Sequence, residues 1–251
     1  MLKIVKILNV KITNETEEKV LEYLFERIKN PREKTFIITP NPEMLVYANN
    51  HLDYQDKLNS ANIALPDGIG LFFASGLLGK PLHERVTGVD FIEKVCKVAA
   101  EKPLSMGLLG GKDGVAKRAA ECLKFKYPWL DVVFVAEEWS EEGFKFNKKN
   151  HELRIKNQGK EQIDILFVAF GVPKQEEWIY ENLRKIPVKA AMGVGGSFDY
   201  LSGTIKRAPF AVRLLGFEWL YRLIMQPWRW RRQLALIEFV RLVFREKFSS
   251  K

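Results

Sequence analysis

The chain has 251 residues, 47% of them apolar and 28% charged, with a formal net charge of +9. That length suits one large α/β domain or a domain with a small appendage, and the apolar share argues for a packed core rather than a disordered chain. No run of 18 uncharged apolar residues occurs, so no helix is expected to span a bilayer.

Strand and helix patterns alternate from the start. Met1-Leu2-Lys3-Ile4-Val5-Lys6 lacks the apolar stretch of a signal peptide, and Lys3–Lys11 reads as a first strand. Thr13 or Asn14 then caps a helix running to Ile28, with Glu17 at the capping-box position behind Asn14. Thr35–Thr39 is a short apolar strand, and Pro42 fits the first turn of the next helix. Ala61–Leu65 is a strand that stops at Pro66-Asp67-Gly68. A helix is predicted over Val89–Glu101, a strand over Leu104–Leu109, a glycine-rich turn to Gly114, and a helix over Val115–Lys126. Strands follow at Asp131–Ala136 and Ile163–Phe170, then a helix over Lys174–Lys185 and a last strand at Ala190–Val194. Cys96 and Cys122 are the only cysteines; both fall in helical patterns and read as structural thiols of a reduced, cytoplasmic protein.

This alternation predicts an α/β fold: a Rossmann-like, largely parallel sheet with helices on both faces and a helical C-terminal appendage. Composition shifts near Thr204–Pro209, which divides the chain into an α/β core over 1–204 and an appendage over 205–251. Ligands in such sheets bind at the carboxyl ends of the strands. The unusual residues cluster there: Thr39-Pro40-Asn41-Pro42, Pro66-Asp67-Gly68, Gly110-Gly111, Gly171-Val172-Pro173-Lys174-Gln175 and Gly193-Val194-Gly195-Gly196.

Asp67 is the leading candidate for chemistry. Its place just after an apolar strand would bring a carboxylate to the crevice, where partial burial would raise its pKa toward general-base work; the alternative is an Asp that shapes a turn beside Gly68. Gly110 and Gly111 join a strand to a helix, which suits either a nucleotide phosphate or a plain tight turn. Arg85 is able to fork onto a diphosphate or to pair with Glu84 or Asp90. The Gln175 amide would reach a sugar hydroxyl or a base edge, or simply favour a helix start. His51, His83 and His151 are scattered, no set of residues has metal-ligand spacing, and no Asp-x-Asp pair is present, so a leaving phosphate would be stabilised by arginines and backbone dipoles without a metal or cofactor.

The charge is concentrated at one end. Between Lys206 and Lys251 eleven basic residues face three glutamates, which leaves +8 of the net +9 there and +1 for all that precedes. Trp219, Trp228 and Trp230 lie in the same stretch. Leu214, Leu215, Phe217, Leu220, Leu223 and Ile224 are helix-spaced, Arg222, Arg229 and Arg232 would share a face of a continuous helix, and Pro227 must break or kink it. Such a tail suits an anionic membrane surface; the rivals are a nucleic acid or a face of the protein itself.

Taken in order, Thr39-Pro40-Asn41-Pro42-Glu43, Leu65-Pro66-Asp67-Gly68-Ile69-Gly70, Phe167-Val168-Ala169-Phe170-Gly171-Val172-Pro173-Lys174-Gln175-Glu176, Gly193-Val194-Gly195-Gly196-Ser197-Phe198-Asp199, Lys206-Arg207-Ala208-Pro209 and Gly216-Phe217-Glu218-Trp219-Leu220-Tyr221-Arg222-Leu223 resemble the WecG/TagA/CpsF family of bacterial glycosyltransferases, and within it the N-acetylmannosaminyltransferases of wall teichoic acid synthesis. The resemblance implies metal-independent, inverting transfer of N-acetylmannosamine from its UDP donor to the 4-hydroxyl of N-acetylglucosamine on undecaprenyl diphosphate. It carries Asp67 over as catalytic base and Thr39 as an active-site polar group, and Asn41 in the same motif is a further substrate-binding candidate. Gln175 is carried over to the substrate site, Arg85 to a position near the acceptor or diphosphate site, and Arg222, Arg229 and Arg232 to the basic set of the appendage; Gly110, Gly111, Gly195 and Arg207 stand beside them as substrate-binding candidates from the strand ends and the tail themselves. It also implies docking on the inner face of the cell membrane, and the apolar tail face would allow a homo-oligomer in solution. Other UDP-sugar donors (a UDP-N-acetylmannosaminuronate or UDP-glucose) remain rivals, as does a nucleic-acid-binding module using the tail; the dinucleotide fingerprint of an NAD-linked oxidoreductase is missing.

Overall fold

A computed structural model describes residues 1–30, 32–137, 162–227 and 230–249. In chain order its elements are β1 (Ile4–Ile7), β2 (Val10–Thr13), α1 (Glu17–Lys29), β3 (Thr35–Ile38), α2 (Pro42–Asn50), α3 (Leu52–Asn59), β4 (Ile63–Ala64), α4 (Ile69–Leu77), α5 (Gly88–Glu101) and β5 (Ser105–Gly110). There follow α6 (Val115–Lys126), β6 (Asp131–Ala136), β7 (Ile163–Ala169), α7 (Lys174–Asn182), β8 (Val188–Gly193), α8 (Ser197–Leu201), α9 (Phe210–Leu214), α10 (Glu218–Met225) and α11 (Trp230–Ser249). The chain divides into two compact units. One comprises Met1–Val20, Thr39–Thr87 and Lys206–Lys251, the other Leu21–Ile38 and Gly88–Ile205.

The second unit holds a parallel sheet in the order β3-β8-β7-β5-β6. Strands covered on both faces need apolar residues at successive positions, and all six residues of β5 and six of the seven in β7 are buried. The polar residues buried in these two strands are Ser105 in β5 and Asp164 in β7. The Asp164 carboxylate accepts from the Ser105 N–H at 2.8 Å and pairs with Lys189 Nζ at 2.8 Å, so three neighbouring strands share one satisfied polar group.

The first unit starts with a hairpin. Lys3–Lys11 is not one strand as the sequence predicts: β1 and β2 pair antiparallel around Leu8 and Asn9, which have φ of 48° and 61°. Two positive φ values match the twist of a two-residue hairpin turn, and Asn9 suits one of them. The capping box predicted at Asn14 and Glu17 does not form. Asn14 Oδ1 instead accepts from the His83 N–H at 2.7 Å, and the Glu17 N–H donates to Glu84 at 2.9 Å.

Among the described residues the tail holds three helices rather than one kinked segment. Its longest, α11, packs on α2 and α4 and buries Phe239, Leu242 and Val243, each supporting about 1.5–3 kcal/mol of transfer free energy. Glu246 anchors its far end, accepting from the Leu8 N–H at 2.8 Å and from Lys80 Nζ at 2.9 Å. No helix among the described residues is long and apolar enough to cross a membrane.

Candidate active site

Within the first unit, backbone hydrogen bonds gather three loops that lie far apart in sequence. The Asp67 N–H donates to the Pro40 carbonyl at 2.9 Å, and the Val86 N–H to the Pro66 carbonyl at 3.2 Å. Thr39 and Asn41, Asp67, and Arg85 are thereby brought into one neighbourhood. Asp67 is half-buried, Thr39 is buried, and Gly68 between Asp67 and α4 has a φ of +93°, a conformation open to glycine and strained for other residues. The Gly68 conformation sets the path by which the chain passes from Asp67 into α4.

Asn41 acts on the backbone, where its side chain caps α2 by accepting from the Met44 N–H at 3.0 Å. The cations come from both the loop and the tail. Arg85 Nη2 donates to the Arg213 carbonyl at 2.9 Å. Arg207 Nη2 donates to Thr87 Oγ1 at 3.2 Å, and its Nε reaches Glu218 at 3.3 Å. The structure thus ties the tail to the loop that carries Arg85, two residues from Thr87, beside Pro66-Asp67.

The remaining tail arginines are divided. Arg222 Nε donates to Gln226 Oε1 at 3.3 Å on α10. Arg232 on α11 forks onto Glu43 in the first turn of α2, with contacts of 2.6, 2.8 and 3.1 Å. Arg229 lies outside the described residues, as do Trp228 and His151. Arg222 and Arg232 occupy separate helices, so the face they would share on a continuous helix does not exist.

In the second unit the carboxyl ends of β5, β7 and β8 lie side by side, with Gly110 opposite Ala169 and Val168 opposite Gly193. Gly110 has a φ of +102°, and a Cβ there would lie 2.7 Å from the Ala169 carbonyl oxygen. The Gly111 N–H donates to that same carbonyl at 3.2 Å. Gln175 is buried; its Oε1 accepts from the Gly195 N–H at 2.8 Å and its Nε2 donates to Glu176 at 2.6 Å. The N–H groups of Gly111 and Gly195 are therefore engaged within the chain. What Gly195 and Gly171 offer is room, since a Cβ at either would meet nothing within 4 Å.

Sequence reasoning missed Thr87, Glu218 and Glu43, the partners that hold Arg207 and Arg232; Glu43 and Glu218 sit inside the quoted motifs, but only tertiary structure pairs them with arginines. Among the described residues no group of three or more His, Cys, Asp or Glu is placed to hold a metal ion.

Comparison with known proteins finds relatives over nearly the whole chain. Residues 5–251 match the family model described as the glycosyl transferase WecG/TagA/CpsF family. The chain is 32% identical over 243 residues to the N-acetylglucosaminyldiphosphoundecaprenol N-acetyl-beta-D-mannosaminyltransferase of Bacillus subtilis (strain 168), covering 97% of this chain and 92% of that protein. The proteins of the same name from Bacillus spizizenii and Staphylococcus aureus (strain MRSA252) are 34% and 32% identical, covering 86% and 91% of this chain and 80% and 86% of theirs. The loops that surround Asp67 and the glycine ends of β5, β7 and β8 all fall within the matched span, and the chain belongs to the WecG/TagA/CpsF family of glycosyltransferases.

Proposed function

We propose that the protein transfers N-acetylmannosamine from a UDP donor to the 4-hydroxyl of N-acetylglucosamine carried on a prenyl diphosphate, an early step in building the linkage unit of wall teichoic acid. The observation that carries this reading is the similarity, over nine-tenths of both chains, to a transferase whose name states that acceptor and that sugar. The loop geometry around Asp67 supports it.

In the proposed mechanism the Asp67 carboxylate accepts the proton of the acceptor 4-hydroxyl as that oxygen attacks the anomeric carbon of the donor. The new carbon–oxygen bond forms on the face opposite the leaving UDP, whose phosphate oxygen departs with the bonding pair, so the anomeric centre inverts. Negative charge grows on the departing diphosphate. Guanidinium groups offset it: Arg85 and Arg207 from the Asp67 neighbourhood and, on this reading, Arg222, Arg229 and Arg232. Thr39 serves as a polar group at the acceptor. In the second unit Gly195, whose backbone is open, is a proposed substrate contact together with Gly110 and Gly111, and Gln175 acts behind Gly195 as a positioning residue. No metal or cofactor takes part.

The lipid-linked acceptor calls for work at the inner surface of the cell membrane. The tail suits this, because exposed Trp219, Trp230, Leu234 and Ile237 accompany its arginines. The test is release of UDP from UDP-N-acetylmannosamine with a prenyl-diphosphate N-acetylglucosamine acceptor in the presence of EDTA. Turnover should persist in EDTA and fall about 10²–10⁴-fold in Asp67→Asn, with substrate binding retained. Turnover only with another UDP-sugar reassigns the donor, and undiminished turnover in Asp67→Asn removes the base.

A further inference from the structure

Helix α4 turns its apolar side outward. It buries Leu71, Ala74 and Ser75, while Phe72, Phe73 and Leu77 are exposed, Phe73 to 70%. Residues 69–79 carry no charged side chain at all. Surface helices ordinarily place polar residues outside, so a helix that is apolar on its outer face as well as its buried one is built to meet something apolar.

Its position identifies the occupant. The helix begins two residues after Asp67, with Gly68 as its N-cap. At that same end Gly216, between α9 and α10, packs so closely on Ile69 that a Cβ on Gly216 would lie 2.7 Å from the Ile69 Cγ1. Ile69 is three and four residues before Phe72 and Phe73 and lies on their face. Flanking Gly216, the side chains of Leu214, Leu215 and Phe217 are exposed. The cation Arg85 ends on the carbonyl of Arg213, one residue before Leu214. The first unit thus brings into one neighbourhood a carboxylate, a guanidinium and an apolar surface shared by α4 and the α9–α10 turn.

We propose that this surface is the subsite for the acceptor's prenyl chain, with Phe72, Phe73 and Leu77 on one side and Leu214, Leu215 and Phe217 on the other. The three kinds of group gathered there correspond to the three parts of the acceptor: sugar hydroxyl, diphosphate and hydrocarbon. The inference rests on the acceptor class assigned above. A sugar held at Asp67 obliges its covalently attached chain to leave nearby, and α4 supplies about 13 Å of uncharged surface from that point. A phenylalanine covering such a chain supports at least about a tenfold gain in affinity.

Two acceptors separate this subsite from catalysis: N-acetylglucosaminyl diphosphate esterified to farnesol, and the same head group esterified to ethanol. Binding of each is measured by calorimetry without vesicles, and kcat/KM is measured in parallel, for the wild type, Phe73→Gln, Leu77→Gln and Phe73→Leu. The wild type should prefer the farnesyl ester. The two glutamine variants should lose about tenfold of that preference per site, and Phe73→Leu should retain most of it. Binding without turnover would sink the proposed reaction and keep the subsite. Equal affinity of the wild type for both esters, or a variant effect identical on both, overturns the subsite. So does a loss confined, in a separate binding measurement on the same variants, to acceptor-free anionic phospholipid vesicles, which would make α4 a bilayer contact instead.

Discussion

Replacing Gln175 with methionine removes two hydrogen bonds and keeps most of the volume. The Oε1 that accepts from the Gly195 N–H at 2.8 Å disappears, and so does the Nε2 that donates to Glu176 at 2.6 Å. Gly195 is half-buried, so water is able to replace part of that bond, and its loss costs about 1 kcal/mol. Glu176 is fully buried, and a donor lost from a buried carboxylate costs about 1.5–3 kcal/mol. The variant should therefore be less stable by about 3 kcal/mol, read as a lower urea midpoint at unchanged slope. Activity should fall through a displaced Gly195 backbone, with a raised KM for the donor. A stability within about 0.5 kcal/mol of the parent combined with a collapsed kcat would refute this reasoning and return Gln175 to direct contact with substrate.

Three further outcomes follow from the geometry. Gly110→Ala combines a φ of +102° with a Cβ 2.7 Å from a carbonyl oxygen and should cost at least about 2 kcal/mol in urea unfolding. Burial, aided by the nearby Glu93 carboxylate, pushes the Cys96 thiol far above its ordinary value of 9.0. The unfolded thiol ionises near that value while the folded one stays protonated, so this group's stabilisation is full below about pH 9 and is lost as pH rises beyond it; Cys96→Ala should flatten that decline, and a thiol reagent should label exposed Cys122 first. Ending the chain after Thr204 removes Phe239, Leu242 and Val243, which α11 buries against α2 and α4, along with Arg207; with that surface uncovered the product should be nearly inactive and scatter light as a species larger than a monomer, and full activity would contradict the role given to the tail.

The parallel sheet was readable because its strands are continuous apolar runs closed by Gly, Pro or polar residues, and α6 and β6 have the bounds that periodicity predicts. The β1–β2 hairpin was not readable, since Leu8-Asn9 is an unusual pair for two positive φ angles and Leu8 reads as a strand residue. Helices α3 and α4 escaped for opposite reasons. One is short and polar, and the other exposes the apolar face that a periodicity argument assigns to the interior. Asp67 and Arg85 stood out locally, but their association depends on the Asp67–Pro40 and Val86–Pro66 backbone bonds, which no side-chain pattern announces. Gln175 and Gly195 carried the correct motif, and only the buried geometry reveals that one holds the other.

The first unit is assembled from three stretches of chain, the last beginning at Lys206. During synthesis, α2 and α4 emerge long before the helix that packs on them, because Phe239 follows Leu77 by about 160 residues. At roughly 5–20 residues per second the nascent chain waits about 10–30 s with that apolar surface uncovered. The surface nearest the proposed catalytic base is thus among the last to be completed, and the protein is exposed to misassembly until its C-terminal helix arrives.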